Sequence, residues 1–119
     1  MSQLSRVLRR SEGGRYLTFM CPGCKDHHAL RIGTDPHPCW SWNGSAHKPT
    51  FRPSIKVTGV RAIHRPYGRW TGEYERDAEG APLPLVCHSY VTDGSIQFLG
   101  DCTHALANQT VPLPSVDWV

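Results

Sequence analysis

The chain has 119 residues, a formal net charge of +3, and 39% hydrophobic and 19% charged residues. That length predicts a single domain over 1–119, with a core small enough that a bound metal would add noticeably to stability. No apolar run approaches the ~20 residues that span a bilayer, and the small positive charge is diluted by ten acidic residues, so the composition argues against a membrane or nucleic-acid partner.

The first ten residues lack the apolar stretch and cleavage site of a signal peptide, which predicts a reducing cytoplasm. In that reducing compartment the five cysteines are expected to bind metal or stay free thiols. Leu4, Val7 and Leu8 lie at helix-like spacing among Arg6, Arg9 and Arg10, so residues 1–14 read as a possible basic arm. Gly13-Gly14 ends it. Tyr16, Leu17, Phe19 and Met20 then form a strand leading into Cys21-Pro22-Gly23-Cys24, a zinc-knuckle sequence in which the glycine permits the tight backbone that turns amides toward the thiolates. A redox pair of this spacing expects a helix directly after the first cysteine, and Pro22-Gly23 starts one poorly. Ala29 to Ile32 reads as the strand leaving the knuckle, with His28 beside it as an exposed or supporting group.

Pro36 to Gly44 reads as a short strand carrying Trp40 and Trp42 into a turn. Pro49 to Ser54 is expected to be an edge or ordered loop, because each proline lacks an amide hydrogen. Ile55 to Ile63 forms a strand kinked at Gly59, and residues 65–84 read as a flexible loop or hairpin excursion.

Asp93-Gly94 lies between two alternating runs, and a type I′ turn there pairs Thr92 with Ser95, Val91 with Ile96 and Ser89 with Phe98. Cys87, Ser89, Val91, Ile96 and Phe98 then share the core face, and His88, Tyr90, Gln97 and Leu99 the other. After the second strand, Asp101 is positioned to cap a short helix through His104 and Leu106 that stops near Asn108. Thr110 to Pro114 closes the chain as an edge segment.

A closed zinc site needs four ligands. Cys21 and Cys24 supply two, and the others come from Cys39, Cys87, His88, Cys102 and His104. Cys87 and His88 point to opposite faces of a strand, and Cys102 and His104 lie about 200° apart on a helix. One ligand from each element gives Cys21, Cys24, Cys87 and His104, with Cys102 and His88 as substitutes. The competing chemistry is hydrolytic: His88, Asp101 and His104 could form an open metal site, or an acid–base cluster beside Ser89, with His88 and Asp101 as the catalytic residues. No His-Glu-x-x-His appears.

These residues carry a resemblance. Cys21-Pro22-Gly23-Cys24, Trp40-Ser41-Trp42-Asn43-Gly44, Pro49-Thr50-Phe51 with Pro53-Ser54, Cys87-His88-Ser89-Tyr90 and Asp101-Cys102-Thr103-His104 together resemble a family of small zinc-knuckle proteins of unassigned function, found in tailed phages and bacterial genomes and often mislabelled as ammonia monooxygenase. The resemblance implies a phage or prophage context, with a host or phage protein as partner. Some relatives look like neighbours of ubiquitin-like conjugation genes, which makes a peptidase or isopeptidase thinkable. Asn108 in place of glycine and the long 65–84 stretch depart from the pattern. The combined expectation is an α+β fold: a small β-rich, zinc-stabilised domain with a hairpin followed by a short helix. Its expected function is an interaction module, the alternative being a zinc-dependent hydrolase.

Overall fold

A computed structural model describes residues 2–33, 38–65 and 69–116. Among the described residues the strands are, in chain order, β1 (Ser2–Gln3), β2 (Arg9–Arg10), β3 (Tyr16–Cys21), β4 (Asp26–Arg31), β5 (Ser41–Trp42), β6 (Phe51–Val60), β7 (Ala62–Arg65), β8 (Arg69–Tyr74), β9 (Pro84–Thr92), β10 (Ser95–Phe98) and β11 (Thr110–Pro112). The fold is all-β rather than α+β. Among the described residues the one helical element is a short 3-10 turn at Glu12–Gly14.

One sheet has the order β1-β2-β3-β4, a second β11-β10-β9-β6-β5, and β7 and β8 pair as a separate hairpin. The two larger sheets meet through apolar side chains from alternate strand positions, as a strand's two-residue period requires. Phe19 of β3 stacks on Phe51 of β6 with ring centroids 6.2 Å apart. Leu8, Leu17, Leu30, Ile55, Val91, Ile96 and Phe98 are buried around that contact.

The central hairpin forms in the expected register, Thr92 with Ser95 through Ser89 with Phe98. Asp93 and Gly94 both have positive φ, 49° and 80°, the requirement of a type I′ turn. Cys87, Ser89, Val91, Ile96 and Phe98 are all buried, which is what that register dictates.

The expected helix after Asp101 is absent. The Cys102 N–H bonds the Leu99 carbonyl (3.3 Å) and the Thr103 N–H the Val86 carbonyl (2.9 Å), while the Thr103 hydroxyl accepts from the Val86 N–H at 3.0 Å. These bonds hold 102–103 against β9, and helical i→i−4 bonding would break them. Further turns follow to Asn108, whose φ is +66°, a left-handed position that asparagine tolerates.

Pro49 to Ser54 also departs from expectation, since β6 is an interior strand between β9 and β5. Phe51 pairs with Val91 and Ile55 with Ser89, so Arg52, Pro53 and Ser54 bulge opposite Tyr90. A bulge is the one way an interior strand can accommodate a residue without an N–H.

Near the start of the chain, the Ser5 hydroxyl accepts from the N–H groups of Val7 and Leu8, both at 3.0 Å. It folds 4–8 into a turn that buries Leu8 completely. Within 65–84, β8 pairs with β7 and Arg76 bridges to Pro82. Pro36 and His37, read as the start of the tryptophan strand, lie outside the described residues. Among the described residues no helix is long and apolar enough to cross a membrane.

Candidate functional site

The bulge in β6 places Ser54 on the outer sheet face carrying His88. The Ser54 Oγ lies 3.0 Å from His88 Nε2, and His88 Nδ1 lies 3.1 Å from Asp101 Oδ2. A carboxylate can only accept, so it selects the tautomer with hydrogen on Nδ1 and leaves the Nε2 lone pair to accept from the Ser54 hydroxyl. The line Ser54–His88–Asp101 is the arrangement that activates a serine nucleophile. It is open to solvent, with the His88 side chain 25% and the Asp101 side chain 47% exposed.

Main-chain contacts hold these groups in place. The His88 N–H donates to Cys102 Sγ at 3.2 Å, and the Cys102 thiol donates to the His88 carbonyl at 3.2 Å. The Trp40 indole N–H donates to the Ser54 carbonyl at 3.3 Å. Beside them, the Arg52 guanidinium lies 5.4 Å from the centre of the Tyr90 ring.

Sequence reasoning placed His88 near Asp101, and the structure brings them into contact. It named Ser89 as the neighbouring hydroxyl. Ser89 is fully buried on the core face, and its Oγ has no hydrogen-bond partner. Ser54 was missed because the prolines on either side of Arg52 suggested a loop, although Pro53-Ser54 belonged to the recurring motif. His104 does not join His88 and Asp101. Its ring packs edge-on against Phe98 with centroids 4.5 Å apart, so the open site of two histidines and a carboxylate is not assembled.

On the opposite face of β9, Cys87 meets the knuckle. The ligating atoms of Cys21, Cys24, His28 and Cys87 all lie within 4.8 Å of one another, a group that could hold a metal ion. Cys21 Sγ and Cys87 Sγ are 3.9 Å apart, and two thiolates on one tetrahedral zinc stand roughly 3.8 Å apart when each bond is about 2.3 Å. His28 is buried, and its Nε2 has no hydrogen-bond partner.

The Cys24 N–H faces Cys21 Sγ at 3.4 Å, and the positive φ of the knuckle falls at Lys25, 59°. The thiols share their protons unequally. Hydrogen bonds from Cys24 and then Cys87 hold Cys21 far below the ordinary thiol value. Cys24 is pushed up to about 12, first by its bond to Cys21 and further by burial, and Cys87 is driven up by its bonds to Cys21 and then Cys24. A cation among them would let all three ionise.

A second group, Cys87, Cys102 and His104, shares Cys87 with the first. The Leu106 N–H donates to His104 Nδ1 at 3.2 Å, which puts the neutral ring's proton on Nε2 and leaves no lone pair there. Burial pushes the His104 imidazole below its ordinary value. His28, which sequence reasoning set aside as a supporting group, stands in one group with Cys21, Cys24 and Cys87, and His104, whose Nε2 is likewise buried without a partner, stands in the other. Cys39 is buried and lies outside both groups.

The class these features define is a small all-β protein with a serine–histidine–aspartate line on one sheet face and a Cys/His cluster beneath it. A family model described as BubE, bacterial ubiquitination-like system serine protease, matches residues 2–99, and the chain belongs to this family. The matched stretch includes Ser54, His88 and the four residues of the first cluster, and Asp101 follows just beyond it. No curated protein and no solved structure matches the chain.

Proposed function

We propose that this chain is a serine protease in which Ser54 is the nucleophile, His88 the general base and acid, and Asp101 the group that orients and stabilises the imidazole. The observation that carries the reading is the pair of contacts at His88, 3.0 Å to Ser54 Oγ and 3.1 Å to Asp101 Oδ2. In this chemistry His88 Nε2 takes the hydroxyl proton as Oγ attacks a carbonyl, then returns it to the leaving group. Water hydrolyses the acyl-enzyme by the same exchange. The family description supports a serine nucleophile acting within a ubiquitination-like system, so the bonds cleaved are those of a ubiquitin-like protein, in its precursor or its conjugates, in the bacterial cytoplasm.

The proposed metal is zinc, held by Cys21, Cys24, His28 and Cys87. Three thiolates and an imidazole fill a tetrahedral site, and Cys87 faces away from His88 along β9. The zinc therefore supports the fold that positions the serine, in place of both the interaction module expected from the sequence and its alternative, a zinc-dependent hydrolase.

The test is covalent labelling with an alkyl fluorophosphonate, followed by peptide mapping. Label is expected on Ser54, lost in Ser54→Ala and retained in Ser89→Ala. Label on another residue, or none on folded wild type, refutes the assignment.

A further inference from the structure

The Leu99 N–H donates to the His88 carbonyl and the Thr103 N–H to the Val86 carbonyl, both at 2.9 Å. Residues 86 and 88 therefore turn their main-chain groups away from β6. Antiparallel ladders alternate hydrogen-bonded with non-bonded pairs, so the pairs His88–Lys56 and Val86–Thr58 are the non-bonded ones. Lys56 and Thr58 consequently direct their N–H and C=O groups to the far edge of β6.

That edge is open just past the nucleophile. β5 pairs only with Phe51 and Arg52, and the Trp40 indole takes the Ser54 carbonyl. Among the described residues no strand pairs with 55–60 on that side. Trp40 also accepts from the Gly33 N–H and donates to the Arg31 carbonyl, so one short segment closes β4 and β6 at the same end. Two exposed cations flank Ser54 along β6, Arg52 and Lys56. Arg52 is held in place by the Val91 carbonyl at 3.0 Å and the Thr92 hydroxyl at 2.9 Å. Asp101 on that face is engaged by His88.

We infer that the free edge of β6 at Lys56 and Thr58 binds the substrate as an added strand, so that the protein acts on an extended segment bearing acidic side chains near the scissile bond. This rests on the serine protease reading. Main-chain hydrogen bonds to the edge supply affinity, Arg52 and Lys56 select carboxylates, and continuity with Ser54 brings the substrate carbonyl to the nucleophile. Surfaces that present neither an extended segment nor an unpaired strand edge are excluded by the same geometry.

The experiment compares labelling rates at Ser54 for an alkyl fluorophosphonate and for a tetrapeptidyl diphenyl phosphonate with alternating Glu and Val. Thr58→Pro removes an edge-facing N–H that β9 does not use, a place where proline is tolerated. It is expected to slow the peptidyl probe about tenfold, the scale of one or two net hydrogen bonds, and to leave the alkyl rate unchanged. N-methylation of the peptidyl probe is expected to slow labelling at every second position, and replacing Glu by Lys to slow it as well. The N-methyl series uses wild type and decides the matter if Thr58→Pro does not fold. Alkyl labelling of Ser54 together with peptidyl rates indifferent to N-methylation overturns the edge while the serine assignment stands. Failure of the alkyl probe itself overturns both.

Discussion

Gly23 of the knuckle is fixed by what lies opposite it. A Cβ built there would collide with Cε1 and Nε2 of His104 and stand 2.7 Å from its Nδ1, where ordinary contacts begin at 3.4 Å. Gly23→Ala must push either the knuckle or the ring by something near an ångström. His104 resists, because its ring is wedged against Phe98 and its Nδ1 accepts from Leu106. Overpacking of this kind costs about 1–3 kcal/mol, and for a domain near this size each kcal/mol shifts Tm by roughly 4–8 °C. The expected drop is therefore about 5–20 °C, measured by circular dichroism melts of the metal-loaded protein. His104→Ala alone should also destabilise, by a similar amount, through lost packing. The double variant should be less destabilised than the sum of the two, with a coupling of about 1–2 kcal/mol. If Gly23→Ala melts within a degree or two of wild type, or the two changes simply add, the contact between knuckle and His104 is not what the structure shows.

Three further outcomes follow from the site. Asp101→Asn keeps the fold, since that side chain is 47% exposed, but presents the wrong hydrogen-bonding group to Nδ1; turnover of any cleaved substrate should fall on the order of 10³–10⁴-fold with Tm unchanged, and a fully active variant removes Asp101 from the mechanism. Metal analysis should find about one zinc per chain; stripping it with a chelator should unfold the protein, because a structural zinc's binding energy is folding energy, and a chelated protein with an unaltered melt refutes a structural role. Cys21→Ser and His28→Ala should both lose zinc whereas His104→Ala should retain it, and the reverse pattern for the two histidines would exchange their roles.

The hairpin was legible from sequence because its information is local. Asp93-Gly94 supplies the two positive φ values, and the period of two sends Cys87, Ser89 and Val91 inward without reference to the rest of the chain. The knuckle was legible for the same reason, with two thiols and a turn inside four residues. What sequence alone could not supply was any feature set by partners distant along the chain. Asp101 looks like a helix cap until β9 offers bonding partners to Leu99 and Thr103, and local capping then loses to those bonds. His28 and His104 are equivalent as letters near cysteines; only the fold groups His28 with Cys21, Cys24 and Cys87 and sets the Leu106 N–H against Nδ1 of His104. Ser54 depends on two tertiary facts at once: β6 is an interior strand in spite of Pro53, and its bulge turns the hydroxyl toward His88, 34 residues away in sequence. Composition and spacing set which chemical groups the chain carries and its local turns, but the contact between Ser54 and His88 exists only where β6 and β9 pair, because residues far apart in sequence meet only through the fold.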